Sequence, residues 1–224
     1  MKAKTLGAMS LTCLALTILW LVLYIYSVAS AGPLGTLEQA LASVARPDAL
    51  FYLTYANATL VTLSATMLFA GLYVYCRPTA PGWSAMGVVF VPVYCVLNLF
   101  AYLSQITIVP CLLALQQTAE YQAASSLLLG QMIQQWPGSA VNVLNNLAYA
   151  ILGIPSIIFG MALSRRGRST RLPGILLALS GVACIIGVAG VVLGSGLLAQ
   201  GSIIGGALFL LALIPLSLTF LREA

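Results

Sequence analysis

Of the 224 residues, 61% are hydrophobic and 6% charged, whereas an average soluble domain is roughly half apolar and about a quarter charged. Nine Lys and Arg with four Asp and Glu are too few to solvate a folded surface of this size, which excludes a water-soluble globular protein and turns most of the exterior toward lipid. The net charge of +5 sits at the ends of apolar stretches instead of on one solvated face, so nucleic acid is not an expected partner and membrane lipids are.

Uncharged apolar stretches near the ~20 residues that a helix needs to cross ~30 Å of hydrocarbon predict six spans. The first, Leu6 to Ser30, follows Lys2 and Lys4 and ends near Ala29-Ser30-Ala31. That resembles a signal peptide, but the apolar run is longer than an h-region and reads as an uncleaved helix. A weak polar stripe of Thr17, Trp20, Tyr24 and Ser27 runs along it. Next, Leu34, Leu37, Leu41 and Val44 recur at helical spacing behind a capping box of Thr36 and Gln39, and stop near Pro47. They predict a short amphipathic helix on the outer surface.

The second span, Phe51 to Cys76, carries Tyr55, Thr59, Thr62 and Thr66 on one face and Asn57 with Ser64 on another, as expected of a helix inside the bundle. After a tight turn from Arg77 to Trp83, the third span, Ser84 to Val109, places Tyr94, Asn98, Tyr102 and Gln105 on one face. A second outer connection aligns Tyr121, Leu128, Met132 and Trp136 before Pro137-Gly138 breaks the run, predicting another amphipathic helix. The fourth span, Ala140 to Leu163, has Asn142, Asn146 and Tyr149 on one face with Asn145 beside them, and an arginine-dense strip from Ser164 to Pro173 follows.

The fifth and sixth spans, Gly174 to Leu197 and Ile203 to Leu221, differ in kind. Nine of the 20 glycines fall between Gly174 and Gly206, and Gly190/Gly194 and Gly201/Gly205 are both G-x-x-x-G pairs. Small residues four apart let helix backbones approach, either within this hairpin or against another copy of the chain. The chain therefore divides by pattern into a four-helix unit with a polar interior, 1–163, and a glycine-rich two-helix hairpin, 174–221. Pro92, Pro155 and Pro215 place bends in the third, fourth and sixth spans.

Orientation follows from the basic residues. Lys2, Lys4, Arg77, Arg165, Arg166, Arg168, Arg171 and Arg222 collect on one side, and Arg46 alone lies on the other with Glu38, Asp48 and Glu120. This split puts both termini in the cytoplasm by the positive-inside rule. The expected fold is an all-α polytopic bundle of six transmembrane helices with two short external helices.

Polar side chains in hydrocarbon need partners, so their clustering is the most informative feature left. Tyr55, Asn57, Asn98, Tyr102, Gln105, Asn142, Asn146 and Tyr149 gather toward the outer half, with Asn57, Gln105 and Asn146 at similar depth. They read either as interhelical hydrogen-bonding glue or as the lining of a cavity open to the outside. No span holds an ionisable catalytic group. The five cysteines contain no C-x-x-C pair, and histidine is absent. P-loop, dinucleotide and haem motifs are missing, so neither an enzyme nor a cofactor or metal is expected.

The stretches FYLTYANATLVTLSATMLFAGLYVYCR (Phe51 to Arg77) and WPGSAVNVLNNLAYAILGIPSIIFGMALSRR (Trp136 to Arg166) resemble bacterial multi-pass membrane proteins of this length grouped as a domain of unknown function. Those proteins have an N-terminal helix, a long external loop and a late Arg-rich internal turn. The resemblance implies a prokaryotic cytoplasmic membrane and carries over no functional residues.

Three functions fit the sequence. The first is a non-enzymatic membrane protein binding a neutral or amphiphilic small molecule or lipid among the first four spans. The second is an accessory subunit or homo-oligomer assembled through Gly190, Gly194, Gly201 and Gly205, and the third a small-solute transporter.

Overall fold

The computed structural model describes residues 3–31 and 35–222; Lys2 and Leu34 lie outside the described residues. Among the described residues every element is helical: α1 (Ala3–Ala31), α2 (Leu37–Val44), α3 (Ala49–Cys76), α4 (Pro81–Gln116), α5 (Gln122–Met132), α6 (Ala140–Arg166), α7 (Arg168–Val192), α8 (Gly196–Ala199) and α9 (Gly201–Arg222). Six helices are long and apolar enough to cross a membrane, with α8 and α9 together forming the last. The chain is an all-α polytopic helix bundle. The spanning helices pack in chain order, and α1 closes the ring against α9.

One apolar core takes residues from every spanning helix, among them Leu6, Phe69, Val91, Phe159, Leu177 and Phe220. Phe69 anchors its centre, with ring centroids 6.1 Å from Phe159 and 6.3 Å from Phe209. Regions 1–163 and 174–221 thus share a single core. Outward faces remain apolar, as at Val22, Leu53, Val96 and Ile203, which suits a lipid solvent.

Local signals set the helix starts. Thr36 and Gln39 form the expected capping box of α2: Gln39 N donates to Thr36 Oγ1 at 3.2 Å, and Thr36 N donates to Gln39 Oε1 at 3.2 Å. Asp48 caps α3 by accepting from Phe51 N at 2.9 Å, and Ser139 caps α6 by accepting from Asn142 N at 2.9 Å. Each satisfies an amide that a helix start leaves without a partner.

Three expectations need correction. The arginine strip is not a loop: α6 runs to Arg166 and α7 starts at Arg168, with Gly167 alone between them. Thr170 makes the tight join workable, since its hydroxyl donates to Leu163 O at 2.7 Å, a carbonyl the end of α6 leaves free. Pro173, inside α7, cannot donate to Ser169 O, and the Thr219 hydroxyl of α9 donates there instead at 3.2 Å.

The third span extends past Val109 through Pro110 to Gln116, because the chain beyond Val109 is still covered by α5 and not by water. Of the face expected for α5, Met132 and Trp136 pack inward but Tyr121 and Leu128 do not. Ser125, Leu129 and Gly130 are buried, while Leu128 is 50% and Tyr121 46% exposed. Small Gly130 brings α5 against Leu37, and Ile133 sinks fully among Val44, Val109, Leu112 and Leu113.

The glycines of the last hairpin work inside the chain. Gly190 abuts Ala199 and Leu198, Gly201 meets Ala183 and Gly187, and Gly205 meets Cys184 and Ser180. Ser180 Oγ also donates to Gly205 O at 2.7 Å. Gly194 is a different case and packs on nothing: its φ of +65° ends α7. Ser195 N donates to Gly190 O at 2.8 Å and Gly194 N to Val191 O at 3.2 Å, the two bonds of a Schellman stop.

Candidate functional site

The polar residues singled out in the sequence lie in the half of the bundle away from Arg77, Arg165, Arg166, Arg168, Arg171 and Arg222. Asn98, 1% exposed, donates its amide to Thr62 Oγ1 at 3.1 Å and so ties α4 to α3. One turn on, the Tyr102 and Tyr149 hydroxyls share a 2.6 Å hydrogen bond between α4 and α6. The Tyr94 and Tyr149 ring centroids are 6.3 Å apart, those of Tyr55 and Tyr102 6.4 Å, and those of Phe51 and Tyr55 4.9 Å. The result is a file of aromatic rings along the inside of the bundle.

Gln105 closes that file at its open end. Its Nε2 donates to Met132 O at 2.8 Å while its Oε1 accepts from Gln134 N at 3.1 Å. One side chain thereby holds the backbone just after α5. Asn142 Nδ2 donates to Gln134 O at 2.9 Å, and the Tyr55 hydroxyl reaches Gln134 Oε1 at 3.5 Å. Non-helical backbone at membrane depth is tolerated only where protein satisfies it. Here Gln105 and Asn142 satisfy the backbone and Tyr55 reaches the Gln134 side chain, so three of the eight residues hold a cover over the tyrosines.

The other members go elsewhere. Asn57 donates to Leu16 O of α1 at 3.0 Å, and Asn146 donates back within α6 to Asn142 O and Oδ1, both at 3.0 Å. The amides of Asn57, Gln105 and Asn146, expected at one depth, therefore do not bond to one another. Asn57 turns to α1, Gln105 to the segment after α5, and Asn146 back along α6. Buried oxygens without a partner among the described residues include Asn57 Oδ1, Asn98 Oδ1 and Asn145 Oδ1.

Two participants escaped the sequence reading. Gln134 lies outside any span, where the helical pattern puts the glutamines on the polar face of the second external helix, opposite Met132 and Trp136. For Thr62 the helical period gives a place in a polar stripe of α3 but not its bond to Asn98.

Two cavities sit at the opposite, basic end. One of about 710 Å³ lies between the α3–α4 turn and the end of α6, bordered by Thr79, Trp83, Ile158, Met161, Arg165 and Arg166 among others. A second, of about 440 Å³, is lined by Ser164, Arg165, Gly167, Arg168 and Arg171. None of the eight polar residues lines either cavity. Arg166 is held in place: its guanidinium donates to Tyr75 O at 2.7 Å and lies 3.9 Å from the centre of the Tyr75 ring.

No family model, curated protein or solved structure matches this chain. What the fold defines is a class, a six-span integral membrane helix bundle.

Proposed function

We propose that this is a non-enzymatic protein of a prokaryotic cytoplasmic membrane, with both termini cytoplasmic, that binds a neutral or amphiphilic small molecule in its polar half. The observation that supports this most is Asn98. It is buried on the face shared with Tyr94 and Tyr102, and it leaves its carbonyl oxygen unpartnered. The cluster thus neither faces lipid nor satisfies itself completely. An unpaired buried acceptor costs about 1–3 kcal/mol, which a guest carrying a hydroxyl or amide donor recovers. The tyrosine rings supply flat apolar walls with polar tips. Because the residues are covered, binding is coupled to displacement of the segment that Gln105 clamps.

The competing reading, an accessory subunit or homo-oligomer held through its glycines, is weakened because Gly190, Gly201 and Gly205 are already covered within the chain.

Native mass spectrometry of the full chain released from lipid nanodiscs tests the binding reading. The wild type should retain a small non-protein mass, and Asn98→Leu should lose it while keeping a cooperative thermal transition. A wild type without bound mass, or one whose bound mass Asn98→Leu retains equally, overturns the proposal.

A further inference from the structure

The eight polar residues leave the basic end of the bundle without a role. We infer that the larger cavity there binds the phosphate headgroup of an anionic phospholipid. Its volume of about 710 Å³ falls within the ~300–1,000 Å³ typical of small-molecule sites.

Two guanidiniums border it. Arg165 is exposed and has no ion pair or hydrogen bond among the described residues, and it also borders the second cavity with Arg168 and Arg171. Arg166 is oriented by the Tyr75 carbonyl and ring, which leaves its remaining N–H groups fixed in direction. A guanidinium offers five donors in a planar fork that matches phosphate oxygens. Among the described residues no Asp or Glu lines either cavity.

The start of α4 adds to this field. Ala80 gives no side-chain cap, and Pro81 occupies the first turn. Gly82 and Trp83 both line the cavity, and their amides, in the first turn, have no helical acceptors and lie at the positive end of the α4 dipole. A Cβ built on Gly82 would meet nothing within 4 Å, so the backbone is open to an approaching anion.

The remaining wall selects a lipid over a soluble anion. Trp83 is 61% and Met161 38% exposed, and with Ile158 they continue the cavity toward the apolar belt of the bundle. A phosphate held by Arg165 and Arg166 would then have its glycerol and acyl chains on this apolar surface, and Trp83 at headgroup depth as interfacial tryptophans are. The inference concerns the end opposite the polar cluster and does not depend on the function proposed for that cluster.

The test uses the full chain in phosphatidylcholine nanodiscs doped with phosphatidylglycerol, with retained lipid counted by native mass spectrometry. Phosphatidylglycerol should be retained in preference to phosphatidylcholine. Arg165→Gln should reduce that preference by about tenfold or more, the effect of losing a direct charge-assisted hydrogen bond to phosphate. Arg222→Gln removes one charge from the same end without touching the cavity and should leave the preference unchanged. Inorganic phosphate should not displace the lipid. Equal retention of the two lipids, an Arg222→Gln loss as large as that of Arg165→Gln, or displacement by inorganic phosphate would each overturn the inference. A thermal midpoint measured for every variant ensures that only folded protein is compared.

Discussion

Gly160 of α6 and Gly174 of α7 face each other so closely that a Cβ on either would stand 2.6 Å from the other's carbonyl oxygen. Gly153 and Gly181 repeat the arrangement two turns along the same pair. In a bilayer, where lipid tails are as apolar as leucine, helices gain little from hiding apolar surface from each other, and close backbone packing supplies much of the attraction. A glycine seam of close backbone contact thus runs between α6 and α7, across the boundary between the polar four-helix region and the glycine-rich hairpin.

Gly160→Ala should therefore lower stability by about 1–3 kcal/mol, the usual cost of forcing an extra carbon into a packed interface. Gly206→Ala is the contrast, since a Cβ there meets nothing within 4 Å. It should be neutral, or stabilising by about 0.5–1 kcal/mol through reduced backbone freedom in the unfolded helix. Reversible unfolding in mixed micelles with increasing SDS reads both. Equal effects at the two positions would contradict the packing described.

Gln105→Leu removes both bonds that hold the chain after α5. Each is worth about 0.5–1.5 kcal/mol, so local opening there should become roughly tenfold more frequent or greater. Amide exchange measured by mass spectrometry should accelerate over residues 132–139, with the Gln134 amide most affected, while α7 and α9 keep their protection. Unchanged exchange over 132–139 would mean that apolar burial of Ile133 alone holds the cover.

The hydroxyls of Tyr102 and Tyr149 form one bond between α4 and α6. A double-mutant cycle of Tyr102→Phe and Tyr149→Phe should give a coupling near the ~0.6 kcal/mol average for such bonds in membranes and below ~1.7 kcal/mol. Steric-trap unfolding in bicelles can resolve a difference of that size. Strictly additive single effects would show that the two phenols act independently.

Much of this architecture is legible without coordinates. An apolar run with charges only at its ends has one stable solution in a bilayer, a helix with all its backbone bonds made internally, so the six spans are readable in number and approximate place. The capping box of Thr36 and Gln39 is equally local, because its two bonds span three residues. Clustering of Tyr102, Asn98 and Gln105 on one face is also legible, since it needs only the helical period.

Partner choice is a different kind of fact. Asn57 and Asn98 are the same amide in adjacent spans, yet one bonds a carbonyl of α1 and the other a hydroxyl of α3. That outcome depends on which helices are neighbours and how each is rotated, and rotation about a helix axis leaves the apolar pattern of the sequence almost unchanged. The same holds for α5, whose buried face turned out to be Ser125 and Leu129 once Gly130 had met Leu37.

What the chain determines by composition and spacing alone is how many helices are long and apolar enough to cross and which polar groups share a face, because each is settled within a few residues of backbone. Only the folded bundle decided that Gly190 meets Ala199 inside one chain, that Gln105 grips the segment after α5, and that Arg165 and Trp83, 82 positions apart in sequence, border one cavity. These are long-range contacts, set by the close packing of whole helices, and no local stretch of sequence contains both of their partners.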